Sequence, residues 1–433
     1  MSNEHDGESS DEMEVLEGNN SDNDAGDSNM EIKAYIPGGE LTDGEELVRD
    51  ESAYHMYHQA QTGDPCLSFD VIRDQLGNDR STYPHTAYLV AGTQAEKAHL
   101  NSIIVMKMSN LFSNCKDPSS DSESEDEDEE MPELKNEMIS INGSVNRLRV
   151  SKIADKDVVA CWCETGKVHL YDISPSLQSL EVTGQQKPLI SKPLHTFTGH
   201  QIEGYAVDWS NLVPGRLASG DCKKNIHVWK LQDGGSWHVD QRPFTGHTDS
   251  VEDIQWSPNE SNVFASCSVD STIRIWDIRA VPNQACMLSK DAHSSDVNVI
   301  SWNKKEPFIL SGGDDGVINV WDLRQFKATS PVAKFKHHTG PITSVEWHPT
   351  DSTVFAASGA DDQLTLWDLA VERNQEETSA SVASAELAAI PPQLLFIHQG
   401  QKDIKELHWH PQISGTIIST ALSGFNIFKT ISV

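Results

Sequence analysis

What this chain has little of narrows its identity first. No apolar run approaches the roughly 18 residues that a membrane-spanning helix needs. The opening MSNEHDGESS has no basic region followed by an apolar core, so no secretory leader is expected. Cysteine is scarce and irregular: seven residues, an odd number, with no repeated spacing. A disulfide framework is therefore excluded, and a reducing intracellular compartment is expected. Cys161 and Cys163 stand two apart on an expected strand with no second pair nearby, which reads as core rather than metal ligation. Basic residues are few: 33 Lys and Arg face 66 Asp and Glu, for a net charge of −33. The only basic clusters are pairs such as Lys223-Lys224 and Lys304-Lys305, so no nuclear-import signal can be read. No glycine loop fit for phosphate, no metal-ligand cluster and no nucleophile motif is present. An enzyme is not expected, nor is any cofactor or metal.

The negative charge is unevenly spread. Residues 1–51 hold 17 acidic against 2 basic side chains, and residues 111–135 hold 10 against 2. The other 357 residues carry a net charge of only −10. Such a chain repels nucleic acid backbones and attracts basic proteins. Residues 1–30 contain almost nothing apolar and are expected to be a disordered acidic tail, because they cannot offset the entropy of ordering. Ser9, Ser21, Ser120, Ser122 and Ser124 precede acidic residues and are candidate phosphorylation sites.

A repeat organises the rest. Residues 246–277 read GHTDSVEDIQWSPNESNVFASCSVDSTIRIWD, and close copies run over 293–322 and 338–368, with a worn copy over 200–229. The second Trp of each copy falls at 229, 276, 321 and 367. The first falls at 209, 256, 302 and 347, each nine residues after His200, His247, His293 or His338. A period of about 40–45 residues with Gly-His and Trp-Asp marks is the signature of propeller blades.

In such blades a His, a Ser, an Asp and a Trp bond across the strands and satisfy polar groups inside a packed sheet. One set is His247, Ser266, Asp270 and Trp276; the next is His293, Ser311, Asp315 and Trp321. His338, Asp361 and Trp367 fit a third, although Ala357 occupies the Ser position. In the His200 copy Lys223 stands in the Asp position, so an incomplete network is expected there. A set that recurs in every blade is architecture, not a catalytic triad.

The remaining text completes the ring. Residues 42–60 pattern as a short helix, with Thr42 and Glu45 at capping-box spacing and Ala53, Met56, Tyr57 and Ala60 on one stripe. Strands at 66–72, 85–91, 102–108 and 137–141 make a degenerate first blade, interrupted by the acidic loop 111–135. Residues 145–173 form a worn second blade ending VHLYD. A second flexible loop covers 371–390, and a last blade runs from Ile404 through Trp409 to Phe428. The expected fold is all-β: a seven-bladed WD-repeat β-propeller over 66–433, preceded by a tail (1–30) and an N-terminal segment with a helix (31–65). The chain ends just after a third strand, so the outer strand of the last blade must come from the N-terminal region, with 31–37 a candidate.

The order of acidic tail, helix, degenerate blade with acidic loop, and WD blades resembles the retinoblastoma-associated histone-binding proteins. It resembles more closely the glutamate-rich WD-repeat proteins, relatives of a fungal ribosome-assembly factor. The residues carrying this are ESAYHMYHQAQTGDPCLSFDVIRDQLG at 51–77, GTQAEKAHLNSIIVMKM at 92–108 and GRLASGDCKKNIHVW at 215–229. The resemblance implies a nuclear and nucleolar protein that escorts a basic ribosomal protein during assembly of the large subunit. Histones are partners by the same resemblance.

Two surface features fit partner binding. Glu123, Glu125, Asp126, Glu127, Asp128, Glu129 and Glu130 form a run able to attract Lys- and Arg-rich proteins. Trp276-Asp277-Ile278-Arg279 and Trp321-Asp322-Leu323-Arg324 resemble the boxes with which substrate receptors dock on the adaptor of cullin-four ubiquitin ligases, which makes Arg279 and Arg324 candidate docking residues.

Overall fold

Inner strands with apolar residues on both faces need a neighbour on each side, and closing the sheets into a ring supplies it. The computed structural model describes residues 47–114, 131–182, 192–372 and 390–433. These build seven four-stranded antiparallel sheets arranged as propeller blades. The innermost strands begin at Cys66, Val145, Ala206, Val251, Val297, Ile342 and Glu406, where the sequence spacing puts them. Each blade then steps outward through consecutive strands, except the seventh.

The seventh blade has the order Tyr54–Ala60, Gly424–Thr430, Thr416–Ala421, Glu406–Trp409 from outside in. Its outer strand is thus N-terminal, as the short C-terminal end requires, but it is not 31–37, which lies outside the described residues. The helix expected over 42–60 is not found among its described residues. Residues Glu51–Ala53 make one 3₁₀ turn, capped by the Asp50 carboxylate, and Tyr54–Ala60 is a strand. The helical stripe at 53, 56, 57 and 60 competes with a strand alternation in which Tyr54 and Met56 are buried and His55 exposed. Pairing with Gly424–Thr430 supplies long-range contacts that local helix propensity cannot match. The propeller therefore begins at Tyr54, not at 66. Residues 1–30, and 373–389 of the second loop, lie outside the described residues.

In the first blade the third strand runs Ser102–Leu111 and the fourth Glu133–Ser140, so the acidic insertion joins these two strands. The second blade carries a helix the sequence reading lacks, Ser174–Leu180, packed against the fourth strand of the first blade. Cys161 and Cys163 are fully buried with their Sγ atoms 3.7 Å apart.

The first Trp of the repeats fastens each blade to the one before. Trp209, Trp256, Trp347 and Trp409 donate from Nε1 to the carbonyls of Arg149, Asp208, Ser301 and Glu346, at 2.9–3.1 Å. The second Trp fills the blade interior: Trp276 stacks on Phe264 and Trp367 on Phe355, with ring centroids 6.0 Å apart in both cases.

Candidate partner-binding surfaces

The repeated polar sets lie inside the blades. His247 Nδ1 meets Asp270 at 2.9 Å and its Nε2 meets Ser266 Oγ at 2.7 Å, while Trp276 Nε1 donates to the same hydroxyl at 2.8 Å. His293, Asp315, Ser311 and Trp321 repeat this at 2.8–3.0 Å. Burial pushes the His247 and His293 imidazoles below their ordinary value. In Asp270 burial, which alone raises a carboxyl, is outweighed by the bond to His247, and the group sits well below the carboxylate range. A neutral imidazole beside a carboxylate, both sealed in a sheet, is a fastening rather than a reaction centre.

Two blades depart from expectation. The His200 network is complete: Asp221, two residues before Lys223, accepts from His200 Nδ1 at 2.7 Å, and Ser219 bridges His200 and Trp229 at 2.8 and 3.0 Å. A shorter turn delivers the carboxylate early, and Asp221 also accepts from the backbone of Lys223 and Asn225. In the His338 blade Thr365 supplies the hydroxyl that Ala357 lacks. It meets His338 Nε2 at 2.9 Å and accepts from Trp367 Nε1 at 2.7 Å. Ala357 and Thr365 face each other across the ladder, so the hydroxyl has moved one strand over.

A second set of polar residues lines a central cavity of about 540 Å³. The residue before each first Trp reaches the next blade. Asp208, Gln255, Ser301 and Glu346 accept from the backbone N–H of Trp256, Trp302, Trp347 and Trp409, at 2.7–3.2 Å. Glu406 is the ring's closing node. It accepts from Ser68 Oγ and Phe69 N of the first blade and from Arg147 and Arg149 of the second, at 2.6–2.9 Å. Burial alone would raise its carboxyl, but Arg149 and Arg147 hold it well below the usual range. His408, between Glu346 and Glu406, is lifted to about 10 against the opposing effect of burial. Asp208 lacks such a cation at hand, and burial lifts it to about 7. The sequence reading missed this belt, although one polar residue before each repeating Trp was its signal.

Arg279 and Arg324 end the third strands of successive blades. Each guanidinium is held by the Asp of its own box, at 2.5–3.2 Å, and stays about two-thirds exposed. In the next blade Ala370 takes this place.

The seven acidic residues from Glu123 to Glu130, and the serines at 9, 21, 120, 122 and 124, lie outside the described residues. Where the acidic segment leaves and rejoins the fold is described. Asn114 N donates to His55 O at 2.9 Å, Tyr57 N donates to Asn114 Oδ1 at 3.0 Å, and His58 Nε2 donates to Phe112 O at 3.0 Å. Asn110 Nδ2 donates to Met131 O at 3.2 Å. The acidic segment is thus rooted beside the outer strand of the seventh blade, where the sequence reading expected a helix. Among the described residues no three His, Cys, Asp or Glu side chains gather as metal ligands.

Seven sheets, the His–Asp fastenings and the paired tryptophans define a WD-repeat β-propeller. The WD domain, G-beta repeat, matches residues 239–277, 284–322 and 329–368. The family described as histone-binding protein RBBP4 or a member of the CAF1 complex matches 44–111. Ribosome assembly protein rrb1 of Schizosaccharomyces pombe is 45% identical over 412 residues, covering 92% of this chain and 84% of the relative. Protein HEAT STRESS TOLERANT DWD 1 of Arabidopsis thaliana is 46% identical over 426 residues, covering 91% and 90%. Glutamate-rich WD repeat-containing protein 1 of Dictyostelium discoideum is 46% identical over 404 residues, covering 90% and 83%. The chain belongs to this family of glutamate-rich, ribosome-assembly-type WD-repeat proteins.

Proposed function

We propose that this protein is a non-enzymatic escort for basic proteins in assembly of the large ribosomal subunit, acting in the nucleus and nucleolus. One observation carries the reading. The most acidic part of the insertion, residues 117–130, is rooted on the outer face of the propeller, between Asn114 and Met131 and beside the strand Tyr54–Ala60. Nothing in the fold has to move for that charge to meet a partner. Free ribosomal proteins and histones are rich in Lys and Arg, and a polyanion both speeds their capture and shields them from RNA. The name of the fission-yeast relative supports the ribosomal assignment. The match over 44–111 supports histones as alternative cargo.

The test replaces residues 125–130 with Ser and Gly and follows association with a basic ribosomal protein, or with core histones, at two salt concentrations. Folding should be unchanged. Association should slow at low salt and lose most of its salt dependence. Equal rates for both proteins at low salt would reduce the segment to a solubility device.

A second reading, docking on a cullin-four ligase adaptor, is supported by the exposed, Asp-oriented guanidiniums of Arg279 and Arg324 on successive blades. The double variant Arg279→Ala with Arg324→Ala should lose adaptor co-purification and keep its thermal stability. Normal adaptor binding, or none in the parent protein, would leave these pairs as blade architecture.

A further inference from the structure

We propose that the free half of the outer edge of Tyr54–Ala60 receives an extended basic segment of a partner, which adds a fifth strand to the seventh blade. This rests on the reading above, that the protein receives basic proteins, and deepens it by naming where and in what conformation.

The edge is already used once. Along its inner side Tyr54–Ala60 pairs with Gly424–Thr430. On the outer side, the chain leaving the first blade takes the His55 carbonyl with its Asn114 N–H, and the Asn114 side chain takes the Tyr57 N–H. That segment then departs. Peptide groups alternate in direction along a strand, so the next outward pair belongs to Gln59. Among the described residues no group bonds the Gln59 backbone from that side. Unpaired edges of this kind are templates for strand addition, with main-chain bonds giving affinity and pockets for alternate side chains giving specificity.

A pocket lies where the added strand would run. It measures about 70 Å³ and is lined by Ala60, Met108, Leu111, Pro132, Leu134 and Ile427, room for one small aliphatic side chain. Phe112 and Met131 beside it are 37% and 55% exposed.

Charge selects the occupant. Between Asn114 and Met131, whose backbones flank this edge, the sequence carries nine acidic residues and one lysine. A second copy of the chain, itself at −33, is repelled. The fitting segment is extended and alternates Lys or Arg with Val or Leu. Its apolar residue enters the socket, its amides meet Gln59, and its cations face the acidic run.

The experiment uses the full-length protein and three synthetic peptides of equal charge and length: an alternating Lys–Val peptide, the same peptide with alternate amides N-methylated, and a Lys–Ser peptide. The alternating peptide should bind roughly tenfold more tightly than either of the others, the weight of one or two net backbone hydrogen bonds. Gln59→Pro should erase that advantage and leave the melting temperature unchanged. If N-methylated and Lys–Ser peptides bind as tightly as the alternating one, charge alone captures them and the edge is not used, while the escort reading stands. If none of the three binds, the escort reading falls as well.

Discussion

Thr365 offers the sharpest test of how the blades are held. Its hydroxyl accepts from Trp367 Nε1 and meets His338 Nε2, in a place where Thr365 and Trp367 are fully buried and His338 is 4% exposed. Thr365→Val keeps the shape and removes only the hydroxyl, so no cavity contributes. Two buried polar groups lose their partner, each at roughly 1–3 kcal/mol, for a total of about 2–5 kcal/mol. The repair is dictated by the neighbouring blades. Ser266 and Ser311 occupy the position that Ala357 holds here, directly across the ladder from Thr365. Ala357→Ser in the Thr365→Val background should restore at least half of the loss. In the parent background it should cost about 1 kcal/mol, because it crowds a filled site. The double-mutant cycle should therefore show a favourable coupling above roughly 1 kcal/mol. Urea unfolding followed by tryptophan fluorescence measures all four proteins. A Thr365→Val loss below about 0.5 kcal/mol, or no recovery with Ala357→Ser, would refute a bridging role for this hydroxyl.

Other outcomes follow from the channel and the closure. Asp208 has a folded value raised to about 7, so its charged form is disfavoured in the native state. Its penalty is absent at low pH, grows above the ordinary carboxylate value, and is complete above about 7. Asp208→Asn should therefore stabilise the protein at pH 8 and little at pH 4. The shift caps the gain at roughly 4 kcal/mol, and solvent at the channel mouth reduces it to about 1 kcal/mol; a gain independent of pH would contradict the cause. For the closure, deleting residues 1–60 removes buried Tyr54 and Met56 and strips the partner from Gly424–Thr430. Losing two such side chains costs roughly 5–8 kcal/mol, most of an ordinary stability reserve. That variant should aggregate on expression, while deletion of residues 1–47 should keep its melting temperature within about 3 °C. A folded, monomeric 61–433 protein would show that the ring does not need the strand.

The ring itself was legible because its signal repeats. Tryptophans at fixed spacing give the blade period, and each innermost strand falls where that spacing puts it. What failed was local. Residues 53–60 carry helical and strand patterns at once, and only a partner more than 350 residues away decides between them. Lys223 was set against Asp270 by counting along the chain, but the turn in that blade is shorter, and Asp221 reaches His200 first. Thr365 was invisible for a related reason. A hydroxyl can reach one His–Trp pair from either of two facing strands, and a linear repeat records only one of them. The channel belt was legible and unread: the residue before each first Trp points inward at every blade, yet its identity varies among Asp, Gln, Ser, Glu and His.

That variation separates two uses of charge in one chain. Inside the channel, carboxylates are tied to backbone N–H groups and to Arg147, Arg149 and His408, so they hold blades together and have little left to offer a partner. The uncompensated charge lies elsewhere, −15 in residues 1–51 and −8 in 111–135. Placing attraction in segments outside the packed sheets lets it be strong without burying a charge, which a core would tolerate only at several kcal/mol per ion. A polyanion attracts any basic chain, however, and cannot by itself tell a ribosomal protein from a histone. Discrimination then has to come from a part that is rigid. The edge beyond Tyr57, set against the root of the acidic segment, is where rigid backbone and excess charge meet. Capture rate should accordingly follow salt and acidic residues, and residence time should follow the edge.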